Sequence, residues 1–142
     1  MPKGPIFLIL LTALLWGVSG FIDKLTLRYL GPHEAFALRM GVNAVLSLAA
    51  FLWGWPAARA SVTAAGSLPV LLVTASLILT LAGVFCYIKA LSAGEALRLV
   101  PLSSTFPLVT FLLALAFLGE GFSWAKLAGT ILVCAGVGLL AF

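Results

Sequence analysis

Long apolar segments, separated by short groups of glycine, proline and polar residues, run through the whole sequence. A helix needs about 20 apolar residues to cross a hydrocarbon core roughly 30 Å thick, and five segments are long enough. We predict membrane helices over about 5–22, 34–53, 67–91, 96–118 and from about 123 to the C-terminus. The fold class is therefore an all-α membrane protein whose five transmembrane helices form a single domain over residues 1–142.

Glycine and proline predict where these helices end. We expect the first to continue as a helix to Leu30, and Ser67 to cap the third with Pro69 in its first turn. The expected stops are Gly31-Pro32 after the first helix, Gly54 to Pro56 and a loop over 57–67 after the second, Gly94 after the third, and Gly119-Glu120-Gly121 after the fourth. Nothing in the basic, apolar N-terminus predicts a signal cleavage site, so we interpret it as a retained first span.

Polar and small residues recur at steps of three and four along four spans, which places each set on one helix face. The sets are Thr12, Trp16, Ser19, Asp23 and Thr26; Arg39, Asn43, Ser47, Ala50 and Gly54; Ser76, Thr80, Gly83 and Tyr87; Ser103, Pro107, Thr110 and Ala114. Such faces commonly pack membrane helices together, but the included Asp, Arg and Asn favour a shared polar interior. The substrate-path candidates are Trp16, Ser19, Asp23, Arg39, Asn43, Tyr87, Glu95, Arg98, Ser103 and Pro107.

Charged residues are few but grouped: 63% of the chain is hydrophobic and only 8% charged, against about 25% in soluble domains. Threading the helices back and forth places five of them on one membrane side, namely Asp23, Arg39, Lys89, Glu95 and Arg98. We expect this charged vestibule to contain an Asp23–Arg39 ion pair. Arg39 lies roughly 7–10 Å from the midplane, where a charge is costly and faces protein or water unless its side chain reaches the interface.

Pro107 lies near the middle of the fourth span. Proline cannot donate a backbone hydrogen bond and clashes with the preceding turn, which frees the carbonyl of Ser103. We therefore predict a helix irregularity there, facing the interior. Transporters place such breaks at substrate sites, and a packing kink is the alternative interpretation.

The side chains give little support for an enzymatic function. The single histidine, His33, and the two cysteines, Cys86 and Cys134, form no metal-ligand spacing, and both cysteines lie in apolar runs. No nucleophile–base pair can be assembled. We expect a protein that is not an enzyme and needs no cofactor or metal, and the net charge of +4 suits membrane topology better than nucleic-acid binding.

Several short motifs follow one another along the chain. The opening carries Trp16-Gly17, Lys24, Pro32 and an Arg39 early in the second span; "YIKAL", "GEALRLVPL" and "FLGE" follow. Their order resembles the EamA domain of the drug/metabolite transporter superfamily. The resemblance covers essentially the whole chain. Most such proteins hold two domains as inverted repeats around a central site. This chain is similar to the single-domain, five-span branch, where an arginine shortly before a proline is common, here Arg98 before Pro101.

The resemblance implies export or exchange of a small-molecule substrate by an integral protein contacting membrane lipid, which we expect in a prokaryotic (inner) cell membrane. Five helices hardly enclose a path, so we expect a homodimer. The charge balance permits an antiparallel pair, because five cations on one side face three, or four with the terminal amine, on the other. A flippase for lipid-linked head groups and a non-transporting membrane subunit remain as alternatives.

Overall fold

The structure, a computed structural model, describes residues 3–119 and 121–139, with side chains from Pro5 onwards. Of these residues, 89% are helical and none lies in a strand. The helices are α1 (Lys3–Thr26), α2 (Pro32–Ala65), α3 (Ser67–Ala93), α4 (Ala96–Ser103), α5 (Phe106–Phe117) and α6 (Trp124–Leu139). The predicted all-α class is confirmed.

Four helical segments are long and apolar enough to cross a bilayer, the fourth being α4 and α5 taken together. The fifth predicted span corresponds to α6, which is apolar but whose described part has 16 residues, or about 24 Å. It begins at Trp124, one residue after the predicted start, and the amide of Leu127 donates to the carbonyl of Ser123 at 3.0 Å. Residues 140–142 and Glu120 lie outside the described part.

The first helix is shorter than predicted, since α1 ends at Thr26 rather than at Leu30. The amides of Tyr29 and Leu30 both donate to the carbonyl of Thr26, at 3.0 and 3.1 Å, and close a turn. The reason lies in Pro32, which starts α2. A residue before proline avoids the helical region, and Gly31 is extended at φ −67° and ψ 165°.

The second helix is longer than predicted, and the expected loop over 57–67 is wrong. α2 runs unbroken through Pro56 to Ala65, 34 residues and about 51 Å. Proline removes one hydrogen-bond donor, and five of the nine residues that follow it are alanine, the best helix former. The helix ends at Gly66, whose φ of 78° is easily adopted only by glycine, and α3 begins directly at Ser67.

The helices form two compact units. The second unit, Thr26–Ser92, contains α2 and nearly all of α3. Its aromatic cluster joins the first turns of α2 to the last turns of α3: the ring of Phe85 lies 5.2 Å from Phe36, edge to face, and 5.6 Å from His33. Every residue over 41–61 and 67–83 is exposed, as expected for helix surfaces that meet lipid.

The first unit consists of α1 up to Leu25 and of the chain from Ala93 onwards, which includes α4, α5 and α6. Within it α6 packs against both α4 and α5. Val137 of α6 is buried, and the thiol of Cys134 lies 4.0 Å from the carbonyl oxygen of Thr105. Because Thr105 stands between α4 and α5, the packing of α6 meets the fourth span at its break.

Candidate functional site

The fourth span is interrupted where the sequence predicts it. α4 ends at Ser103 and α5 begins at Phe106. Amides around the gap donate to carbonyls three residues earlier: Ser104 to Pro101 at 2.8 Å, Thr105 to Leu102 at 3.3 Å, and Leu108 to Thr105 at 3.1 Å. The predicted irregularity is confirmed, centred two to three residues before Pro107, and its facing the interior stays a prediction.

Hydroxyl groups line this break. Ser103 Oγ donates to the carbonyl of Val100 at 2.7 Å, and Thr105 Oγ1 donates to the carbonyl of Leu102 at 3.0 Å. Irregular backbone at membrane depth persists only where such groups, protein or water satisfy it. The side chains of Ser103 and Ser104 are exposed, so their oxygens are accessible to a polar molecule.

A cleft lies beside the break, between α5 and α6. It has a volume of about 310 Å³. Its lining residues are Phe106, Pro107, Thr110, Phe111, Ala114, Leu115, Gly121 and Lys126. Pro107 is half-buried. The cleft follows α5 for about 12 Å from Pro107 to Leu115, at 1.5 Å per residue. We call it the α5–α6 groove.

A second cleft, of about 320 Å³, opens at the start of the fourth span and is lined by Gly94, Glu95, Arg98, Leu99 and Leu102. Arg98 Nε lies 3.5 Å from Glu95 Oε2, with the two side chains 57% and 73% exposed. An ion pair this exposed contributes at most about 1 kcal/mol to stability. Its two charges therefore remain available to a charged or polar molecule. We call this the entrance cleft.

Lys24 adds a second cation beside the entrance cleft. Its Nζ donates to the carbonyl of Gly94 at 2.6 Å, which joins the end of α1 to the turn between α3 and α4. Gly94 is closely packed there, because a Cβ on it would lie 2.9 Å from Leu99 Cδ1. Lys24 is absent from the predicted path residues, although the resemblance motif includes it.

Among the predicted path residues, the structure joins Arg98 and Glu95 as an ion pair. Ser103 and Pro107 lie further along the same span.

On α1, Ser19 and Asp23 are half-buried and Trp16 is 66% exposed. In the second unit, Arg39 and Tyr87 are half-buried and Asn43 is exposed. Asp23 and Arg39 belong to different units, so their pairing, the shared vestibule and the path itself stay predictions.

Comparison with known proteins gives one match. The profile of the family described as "EamA-like transporter family" matches residues 3–142. No curated protein and no solved structure matches the chain significantly.

Proposed function

Because the chain belongs to the EamA-like transporter family and is an integral membrane protein, we propose that it carries a small metabolite or drug-like molecule across its membrane. The observation that supports this proposal is the broken fourth span, with exposed serines at the break and an ion pair at its entrance. Discontinuous helices in transporters offer backbone and hydroxyl groups to substrates at the same depth.

The proposed path starts at the entrance cleft. Arg98 and Glu95 sit there at the interface and take a polar substrate from water. The break follows about 7 Å further along the span, counted from Arg98 to Ser103. There Ser103 and Ser104 replace water around the substrate, and Pro107 keeps the helix from closing the gap. Trp16, Ser19, Asp23, Arg39, Asn43 and Tyr87 complete the proposed path from the other helices.

We propose further that two chains form the working unit, in a prokaryotic inner membrane. On α6, a Cβ built on Gly129 or Gly136 would meet nothing within 4 Å, and open glycine faces let membrane helices approach closely. Most homo-oligomers are twofold dimers. The small difference in positive charge between the two sides would permit an antiparallel pair.

A two-stage experiment tests the transport function. Purified protein is first screened by thermal shift against water-soluble metabolites and, separately, lipid phosphates. Each hit is then followed by counterflow in proteoliposomes. We expect a soluble metabolite to stabilise and exchange, and Arg98→Gln to lower the exchange rate at least about tenfold, equivalent to about 1.4 kcal/mol. Arg59→Gln, an exposed cation on α2, is the matched control and should keep the rate.

Stabilisation by lipid phosphates alone, together with their movement between leaflets in proteoliposomes, would instead support a flippase. The absence of any exchanged compound, with equal behaviour of Arg98→Gln and Arg59→Gln, would support the non-transporting subunit.

Orientation is tested separately by labelling single cysteines from each side of intact cells. One cysteine replaces Lys3 and another is appended after Phe142, in a chain carrying Cys86→Ala and Cys134→Ala; both native cysteines are free thiols. An antiparallel pair gives labelling from both sides at each position. A single orientation, with no second protein bound, contradicts it.

A further inference from the structure

We propose that the α5–α6 groove binds an anionic phospholipid, with one acyl chain in the groove and the phosphate at Lys126. The proposal concerns a bound lipid and does not depend on which molecule is transported. It rests on the lining of the groove, its depth in the membrane and the position of its one cation.

The groove lining suits a hydrocarbon chain rather than a polar metabolite. Six of the eight lining residues carry no polar side-chain atom. Of the two that do, Thr110 donates its hydroxyl to the carbonyl of Phe106 at 3.3 Å. Thr110 then keeps only acceptor lone pairs, so Lys126 is the lining side chain that can donate to an anionic ligand. A volume of about 310 Å³ lies near the lower end of ligand pockets, which suits one chain rather than a whole lipid.

The groove spans one leaflet in depth. The fourth span covers Ala96–Phe117, 22 residues or about 33 Å, so its middle falls near Pro107. From there the lining residues continue along α5 to Leu115 and then to Gly121, beyond the end of the helix. A lipid chain runs over the same interval, from the bilayer midplane to the headgroup level.

The cation lies at headgroup level. Lys126 is exposed in the first turn of α6. Trp124 and Phe122, which pack edge to face at 5.0 Å, lie at the same end of that helix. Trp at a helix end marks the membrane interface. An ammonium group at that level, at the end of an apolar groove, complements a lipid phosphate that carries a net negative charge. Basic sites between membrane helices bind anionic headgroups in this way.

The test uses Trp124 as the reporter, in a chain with Trp16, Trp53 and Trp55 changed to Phe. Delipidated protein in neutral detergent is titrated with bromine-labelled phosphatidylglycerol or phosphatidylcholine, and quenching of Trp124 gives relative affinities. We expect phosphatidylglycerol to bind about fivefold more tightly, the effect of one basic residue near a membrane surface. Lys126→Gln should reduce the ratio to about one, and Arg59→Gln should leave it unchanged.

Two further measurements keep the proposal falsifiable if Lys126→Gln fails to fold. In the parent chain, the preference should fall towards one when salt rises from about 0.05 to 0.5 M, because salt screens exposed charges. Ala114→Phe, which fills the groove, should weaken binding of both lipids. Equal binding of the two lipids at low salt overturns the proposal. So does a preference that survives Lys126→Gln, or a second copy cross-linking at a cysteine that replaces Ala114.

Discussion

Two prolines in long apolar helical segments have opposite local consequences. Pro56 lies inside α2, which continues for nine more residues, whereas Pro107 follows an interruption and occupies the first turn of α5. Neither proline can donate to the carbonyl four residues earlier. At Pro56 one hydrogen bond is lost, but the helix continues because the residues that follow are rich in alanine. At Pro107 the chain instead has Ser103, Ser104 and Thr105, which offer hydroxyls to the backbone.

Proline therefore does not by itself break a helix of this kind. A second proline, Pro101, lies six residues before Pro107 and inside α4, so the fourth span lacks two amide donors within two turns. Serine and threonine then compete for nearby carbonyls, and α6 packs against the gap through Cys134. Proline, hydroxyl groups and a neighbouring helix thus occur together at the break.

The largest expected difference is in stability after removal of each proline. Pro56→Ala restores a donor inside a helix and should raise the free energy of unfolding by up to about 3 kcal/mol. Pro107→Ala should change it by less than about 0.5 kcal/mol, because proline is well accommodated in a first turn. Unfolding of both variants in mixed micelles, followed by circular dichroism, measures this. Equal changes in the free energy of unfolding would mean that the two helices accommodate proline equally well.

Loss of the hydrogen bond from Lys24 to the carbonyl of Gly94, at the entrance of the fourth span, should have the next largest effect on stability. Lys24→Met removes a charged donor from the carbonyl of Gly94 and should cost about 1.5–2 kcal/mol. Amide exchange over 95–99 should accelerate roughly tenfold or more, while the part of α2 around Pro56 is unchanged. Lys89→Met, an exposed cation on α3, is the control. If amide exchange over 95–99 is unchanged in Lys24→Met, the hydrogen bond from Lys24 to Gly94 does not stabilise the entrance.

Two threonines allow the same substitution to be made at the break and in unbroken α2. Thr105 Oγ1 donates to the carbonyl of Leu102 beside the break, and Thr63 Oγ1 donates to the carbonyl of Arg59 in unbroken α2. Thr105→Val should destabilise by about 1 kcal/mol, since the carbonyl then keeps only a 3.3 Å amide partner. Thr63→Val should be nearly neutral because its acceptor is within a regular helix. The stabilities of the two variants are compared by thermal unfolding. A larger loss of stability for Thr63→Val than for Thr105→Val would contradict this expectation.

The smallest expected effect concerns Gly54, two residues before Pro56. A Cβ at this position meets nothing within 4 Å, and alanine is favoured over glycine in a helix. Gly54→Ala should therefore stabilise α2 by about 0.5 kcal/mol. Thermal unfolding detects this, with Gly119→Ala as the opposite control, because Gly119 has a φ of 64°. A destabilised Gly54→Ala would mean that α2 bends at Gly54.

Much of the fold was predictable because long apolar segments make up most of the sequence. The number of apolar helices and the break before Pro107 follow from span length and proline chemistry. The extent of α2 does not, because Gly54 to Pro56 carries the same signal as a true stop, and the alanines after it decide the outcome. Lys24 was missed for another reason: its partner is a backbone carbonyl 70 residues away, which no local pattern reveals.

The length of α2 has a consequence for how the protein meets its bilayer. A helix of about 51 Å exceeds the roughly 40–45 Å of a whole bilayer including headgroups. Its far end carries Arg59 and meets α3, which turns apolar at Leu68 after the Gly66 turn. We expect tilt to relieve part of this mismatch, and an inclination of about 30° would bring a helix of this length within that thickness. We therefore expect α2 to be more tilted from the membrane normal than the average membrane helix, and its angle to change with membrane thickness.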